Sequence, residues 1–303
     1  MRSMNNSSVI LPRAKEYGCI ILAAVLWGFM GLFNKHLIAA GVSALTVAML
    51  RNTGSMMVLS LTFIVVRPSV FKINLRHIKY FLGTGIFSVL LFTVCFFCSQ
   101  KYCTLAVASS LEYTAPIFVV VISSILWKEP ITKQKVFSLL LVVGGCALSA
   151  GIFTSTNVAT TKGLLLALAS GFFYALYSIF SRYALTAGCK PFTIIIWTFI
   201  FAGLGSLVFF DRNQMQLIIS NPNLIFWAFG LIIFATVLPY LFYTIGLRSV
   251  ESGQASILST LELPTASLIG VLIFGEQLTK VTFFGIVLIF AGIILLNFRS
   301  KKR

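Results

Sequence analysis

Acidic residues are scarce in this chain: seven Asp and Glu stand against 23 Lys and Arg in 303 residues. Charged residues of all kinds make up 10% of it. A soluble domain carries about 25%, so the chain lacks the means to clothe a water-facing surface. That excludes a soluble enzyme, and the same numbers exclude disorder and collagen-like repeats. Histidine occurs twice, at His36 and His77, each at the end of an apolar run. With no Cys/His ligand set, neither a metal nor another cofactor is expected. The six cysteines, Cys19, Cys95, Cys98, Cys103, Cys146 and Cys189, lie in or beside apolar runs and read as small buried hydrophobes. Cys95 and Cys98 form a CxxC, but inside an apolar run rather than in the context a redox motif needs. P-loop, GxSxG and HExxH patterns are missing, and no histidine falls in the middle of an apolar run. No catalytic residue and no enzyme activity are therefore expected.

Long apolar runs are what the chain has instead. Hydrophobic residues make up 58%, with 29 Phe. A bilayer-spanning helix needs about 20 largely apolar residues. Ten runs approach that length: 17–38, 44–66, 80–100, 105–126, 136–153, 163–185, 192–210, 224–246, 253–274 and 281–298. The polar intervals, chiefly the N-terminus to Glu16, Arg67–Lys79, Thr154–Lys162 and Asp211–Asn223, are too short for a folded domain. The first run follows Arg13 and Lys15 and ends in Asn34-Lys35-His36, which reads as a retained signal anchor.

Charge gives the orientation. Alternate connections and the span ends beside them carry seventeen and five Lys/Arg, and Arg51 alone is left over, inside the second run. The richer side includes Arg67, Lys72, Arg182, Lys190 and Arg248. This bias puts both termini in the cytoplasm of a multi-pass cell-membrane protein. The net charge of +16 forms no continuous basic face, so the partner is the anionic leaflet of the bilayer and not a nucleic acid. No obligate protein partner is evident.

Shifting the chain by 147 residues superposes its halves. Trp27-Gly28 meets Tyr174-Ala175, Lys35 meets Arg182, Glu129 meets Glu276, and Gly145 meets Gly292. Pro116 and Pro264 differ by 148. Each half, residues 1–152 and 153–303, holds five spans, so the second enters the membrane inverted. The fold class expected is all-α: ten transmembrane helices as two inverted five-helix repeats around a central cavity, an architecture used for alternating access.

Several features together resemble the EamA-type branch of the drug/metabolite transporter superfamily. They are Leu26-Trp27-Gly28, Arg51, Pro116 before Glu129, Glu262-Leu263-Pro264, and Gly275-Glu276-Gln277-Leu278. The resemblance covers both halves. It implies that spans 1, 3, 4, 6, 8 and 9 surround the cavity while 5 and 10 form a scaffold. Two departures stand out: Lys128-Glu129 where the second half keeps Gly-Glu, and Glu112, where the family more often has an apolar residue.

Glu112 and Glu262 are the acids that lie inside apolar runs. A charged residue at bilayer depth costs about 2.5–3.5 kcal/mol on insertion scales, so it faces a wet cavity, a partner or a proton. At 1.5 Å per residue both lie within about 5 Å of the midplane. Either binds a substrate ammonium or a coupling proton, or makes a structural ion pair. Arg51, at similar depth, either pairs with Glu112 or packs within its own span; the peripheral position of span 2 in the resembled fold favours packing. Proline leaves the carbonyl four residues earlier unpaired, which points to Glu112 for Pro116, Ala235 for Pro239 and Thr260 for Pro264. Trp27, Tyr113, Tyr174, Tyr177 and Tyr243, spaced on helical faces with Tyr240, are expected to line the cavity and suit an ammonium group. Asn34, Ser99, Gln100 and Gln254 are weaker candidates near the mouths, and Tyr17, Tyr80 and Tyr183 belong to an interfacial belt. Glu129 and Glu276 are expected to cap helices and pair with Lys133 and Lys280. The small-residue pairs Gly144-Gly145 and Ala291-Gly292 would let spans 5 and 10 pack closely.

The reading is a secondary transporter of a small organic metabolite, an amino acid or amine, exporting by alternating access with or without proton coupling. The alternatives are an uncoupled facilitator and a membrane receptor or scaffold. The orientation has a direct check in single-cysteine labelling of a cysteine-free background. A cysteine at 70 should react only after permeabilisation and one at 157 in intact cells; the reverse pattern removes the ten-span topology.

Overall fold

The computed structural model describes residues 10–150 and 160–297. Among these, eight helices are long and apolar enough to cross a bilayer: α1 (Ala14–Ala39), α2 (Ala44–Val66), α3 (Leu75–Ser99), α4 (Val107–Trp127), α6 (Thr161–Thr186), α7 (Pro191–Phe209), α8 (Pro222–Gly246) and α9 (Ser252–Phe274). Two are shorter, α5 (Lys133–Ser149) and α10 (Lys280–Asn297). α5 ends at Ser149, short of the expected 136–153, while α10 matches the expected 281–298 to within one residue; neither is among the eight long enough and apolar enough to cross. Lys133 and Lys135 occupy the first turn of α5, and 17 residues rise only about 26 Å. The 151–159 connection, with the division at 152/153 and position 157, lies outside the described residues, as do both chain termini.

The backbone departs from regular helix at places that recur 147 residues apart. π-helical turns interrupt α3 at Gly83–Leu90 and α8 at Ile233–Val237. α4 is broken into Leu105–Glu112 and Ala115–Trp127, and α9 into Ser252–Ser259 and Glu262–Phe274. Left-handed residues follow the same spacing: Gly41 with Gly188, and Lys128 (φ 54°) with Gly275 (φ 65°). Glycine reaches that conformation freely, whereas a side chain there costs roughly 1 kcal/mol. Lys128 carries that cost in the first half.

Helix pairing repeats as well. α1 packs on α8 as α6 packs on α3, and α2 on α7 and α5 on α10 are pairings between mates. The α5–α10 contact is the closest. A Cβ on Gly145 would lie 2.6 Å from the Gly285 carbonyl oxygen, and one on Gly292 2.8 Å from that of Ser138. Ser138 Oγ donates to the Gly292 carbonyl at 2.6 Å. Gly144 instead faces open space and Ala291 is exposed, so one residue of each expected small pair makes the contact. Residues one apart on a helix point about 100° away from each other, which is why adjacent small residues cannot both sit on the seam.

Gly145→Ala should therefore lower thermal stability in detergent by an amount equivalent to about 1–3 kcal/mol of overpacking. Gly144→Ala should leave the melting temperature within the error of the measurement. Equal behaviour of the two variants would remove the close α5–α10 seam.

Candidate functional site

Two prolines build the centre of the molecule. In α4, Pro116 offers no N–H and its ring excludes the carbonyl four residues back. The helix tightens before it: Thr114 N–H bonds the Leu111 carbonyl and Ile117 N–H that of Thr114. Pro116 then stands in the first turn of a new helix, and Glu112 is the last residue of the old one. In α9, Thr260 and Leu261 bond back to Ile257 and Leu258, and Glu262 begins the second half-helix. The two glutamates thus lie on opposite sides of their breaks, one at a helix carboxyl end and one at an amino end. The carbonyl of Thr260, expected to be free, accepts the Leu263 N–H at 3.1 Å because the break tightens into a three-residue turn. Pro239 directly follows the π turn of α8, so the N–H it lacks falls where the helical hydrogen-bond pattern changes.

The breaks meet across the halves. Tyr113 Oη donates to Glu262 Oε1 at 3.3 Å. Beside this bond is a cavity of about 190 Å³, lined by Trp27, Asn34, Arg51, Phe92, Thr93, Phe96, Phe97, Glu112, Tyr113 and Glu262. Glu112 is 9% exposed and interacts electrostatically with both Glu262 and Arg51. Arg51 reaches in from α2. Its Nη1 donates to Met30 Sδ and its Nη2 to Thr93 Oγ1, each at 3.3 Å. Arg51 Nε and Asn34 Oδ1 are buried without a partner. A buried donor and a buried acceptor left open in one cavity are what a polar ligand satisfies.

Not every expected residue shares this cavity. Trp27, Glu112, Tyr113 and Glu262 do. Tyr174, Tyr177 and Tyr243 line an adjoining pocket of only about 10 Å³ with Tyr240, and Trp27 is the wall common to both. That second group is a packed plug. Trp27 meets Tyr240 edge-on at 5.2 Å, and Tyr177 meets Tyr240 at 4.8 Å. Two of its hydroxyls are already paired, Tyr177 with Thr244 at 2.7 Å and Tyr243 with Ser178 at 2.8 Å. Of the weaker candidates, Asn34 lines the cavity. Ser99 and Gln100 bond back to the Phe96 carbonyl, and Gln254 accepts from Tyr17. Tyr80 stacks on Tyr183 at 5.9 Å.

Sequence reasoning left Arg51 between pairing with Glu112 and packing, favouring packing, and overlooked Phe92, Thr93, Phe96 and Phe97. The available signal was a lone guanidinium at the depth of Glu112. The α3 residues carried none, because the π turn breaks helical periodicity just before them.

The other acids find partners outside the expected pairs. Glu129 accepts the backbone N–H of Ser252 at 3.1 Å and of Gly253 at 3.4 Å, capping α9 rather than pairing with Lys133. Glu276 pairs with Lys35 at 2.6 Å and not with Lys280. Glu251 pairs with Lys135 at 2.8 Å. In each case the bond runs between the halves, since the chain folds back to set these ends against the other repeat.

Comparison with known proteins agrees with this architecture. The EamA-like transporter family matches residues 14–151 and again residues 161–298. An uncharacterized transporter of Archaeoglobus fulgidus is 29% identical over 286 residues, covering 93% of this chain and 97% of its own. The uncharacterized inner membrane transporter YicL of Salmonella typhimurium is 26% identical, covering 94% and 95%. The uncharacterized transporter YxxF of Bacillus subtilis is 25% identical, covering 94% and 90%. A solved crystal structure shares the fold at a TM-score of 0.77 and 17% identity, covering 94% of this chain and 96% of that one. The protein is thus a multi-pass membrane transporter of small molecules, and the chain, matched in both halves, belongs to the EamA-like transporter family.

Proposed function

We propose that the chain is a secondary transporter of ten membrane helices in two inverted repeats, exporting a small zwitterionic or cationic metabolite such as an amino acid or amine across the cytoplasmic membrane. The observation that carries this reading is the meeting of Glu112, Glu262 and Arg51 in one cavity between two broken helices. Two carboxylates in one low-dielectric space repel each other, and a cation relieves that repulsion whether it is an ammonium or a proton. Arg51 supplies a partner for a substrate carboxylate, with Nε open to it. Trp27 and the phenylalanines of α3 supply faces for an ammonium. A cavity of about 190 Å³ is below the usual 300–1,000 Å³ of ligand sites, which favours a small cargo. No cluster of Lys or Arg joins Arg51 there, so a multiply anionic cargo is disfavoured.

Alternating access follows from an asymmetry between mates. The cavity reaches toward Asn34, Phe97 and Ser109, near the outer ends of their helices in the proposed topology. Its inner side is shut by the tyrosine plug and by Glu129 on the amino end of α9. The mate of Glu129, Glu276, makes no such cap on α4; it holds exposed Lys35. The mate of Lys35, Arg182, holds the carbonyls of Leu247 and Val250. Exchange of roles between the repeats gives the opposite state: Glu276 on the amino end of α4, and Glu129 released toward Arg182. The second reading, an uncoupled facilitator, uses the same cavity with the glutamates as fixed ligands.

Transport in proteoliposomes separates the two. Glu262→Gln keeps shape and hydrogen bonding to Tyr113 while removing the ionisable group. It should express normally, lose pH-gradient-driven accumulation and retain substrate exchange. Accumulation unchanged between pH 5.5 and 8 in this variant makes Glu262 a structural residue, and wild-type flux that only equilibrates the substrate whatever the pH gradient favours the facilitator.

Substrate charge is tested at Glu112. Glu112→Gln should weaken an ammonium substrate at least about tenfold relative to an uncharged isostere, the scale of one lost buried charge partner. Equal losses for both, or tight binding of a sugar phosphate, would show that the cavity's polarity has been misassigned.

A further inference from the structure

The cavity between the glutamates is smaller than another space in the bundle. A vestibule of about 720 Å³ opens at the other end of the bundle, bordered by a second of about 340 Å³. The two share Arg67, Gly188, Cys189 and Lys190. Three chain segments converge there: the link from α2 to α3, the link from α6 to α7, and the end of α8. They bring in Arg67, Lys72, Arg182, Lys190 and Arg248, together with His77, and no acidic residue lines either space.

Cation excess on one membrane face needs no ligand to explain it. Convergence on one cavity without a carboxylate does, because like charges that gather repel. The ion pairs among the described residues are Lys35 with Glu276 and Lys135 with Glu251, and neither involves these cations. Arg182 is held in place from behind, its Nη1 donating to the Leu247 carbonyl at 2.6 Å and the Val250 carbonyl at 3.2 Å, while its Nε is buried without a partner. The 16-residue helix Pro191–Ser206 also begins at this wall, and no side chain caps it. Its free N–H groups and positive dipole end add to the attraction for an anion. Fixed guanidinium groups, mobile lysines and an uncapped amino end are the donors that a phosphate's three or four oxygens accept from.

We propose that this vestibule binds a phosphate-bearing anion at the cytoplasmic face. That ligand is a phospholipid headgroup of the inner leaflet or a soluble phosphate; the chemistry is the same, and experiment separates the sources. Basic pockets between helices on this face are suited to lipid phosphates. The site is distinct from the transport cavity, because the tyrosine plug, which leaves only about 10 Å³ of space, lies between them. Binding here does not depend on the identity of the cargo, so a failure of the transport reading leaves it standing.

Cys189 lines both spaces and reports on them. The full chain with Cys189 as its one thiol, in phosphatidylcholine nanodiscs, is treated with anionic, cationic and uncharged methanethiosulfonates. The anionic reagent should react about tenfold faster than the cationic one, the scale of local enrichment by a focused field. That ratio should fall toward one in 1 M salt. It should also fall in the Arg67→Gln, Lys190→Gln, Arg248→Gln variant and persist in the charge-preserving Arg67→Lys, Arg248→Lys variant, with the uncharged reagent confirming equal access. Protection is then read with the uncharged reagent, which a charged bilayer does not repel. Slowing in phosphatidylglycerol nanodiscs alone identifies the lipid. Slowing by inorganic phosphate in phosphatidylcholine nanodiscs identifies the soluble ligand. No charge preference, protection by neither, or equal protection in the glutamine variant overturns the proposal.

Discussion

Backbone polar groups cannot face hydrocarbon, and the rest of this structure is arranged around the two places where helices nevertheless stop inside the bundle. α4 gives up its regular bonds at Tyr113–Thr114 and α9 at Thr260–Leu261. Such breaks are tolerated only where protein or a cavity covers them. Here each is covered by a helix of the opposite half. Gly171 of α6 leaves room for the carbonyls of Leu111 and Glu112, which a Cβ would meet at 2.8 and 2.9 Å. Gly28 of α1 does the same for α9, with the Glu262 carbonyl at 3.0 Å and the side chain of Thr265 closer still. These glycines are themselves fixed by the breaks: a side chain at either position would push apart the helices that shield the exposed backbone.

The breaks also explain where the acids are. Glu112 ends a half-helix and Glu262 begins one, so the carboxyls of two helices reach one space although they are not repeat mates. A strictly symmetric pair would have faced opposite ends of the bundle. The half-helices keep the 147-residue register although Pro116 and Pro264 differ by 148, and Tyr113 joins the two halves through Glu262. Aromatic burial closes the other side. Tyr177 and Tyr243 keep their hydroxyls satisfied by Thr244 and Ser178, so their burial in the plug leaves neither group unpaired.

Much of this was legible in the sequence, and the reasons differ by residue. Proline and an acid within an apolar run are single-residue signals whose physics is local; the breaks and both glutamates followed from them. The 147-residue repeat was legible because it reuses one set of helix lengths and turns. Packing partners were not. Gly145 and Gly144 are equivalent in composition, and only the rotation of α5 against α10 separates them. Glu129 has Lys133 four residues away, yet the nearby amino end of α9 holds it, and sequence distance says nothing of that. Arg51 looked peripheral because span 2 is; a long side chain reaching between α1 and α3 is a property of the assembled bundle.

Charge separates the two cavities more sharply than geometry does. One holds two carboxyls and a guanidinium among aromatic walls; the other holds five basic side chains and no acid among its lining residues. A cationic cargo approaching from the basic side meets repulsion, falling off over a Debye length of roughly 8 Å at physiological salt. A zwitterion does not meet it as a net force, because its carboxylate is drawn to the vestibule while its ammonium is drawn to the glutamates beyond the plug. An anion seated among Arg67, Arg182 and Arg248 would lower that field for any cation. For the proposed transporter this charge pattern favours a zwitterion over a simple amine, a distinction the cavity between the glutamates alone does not make.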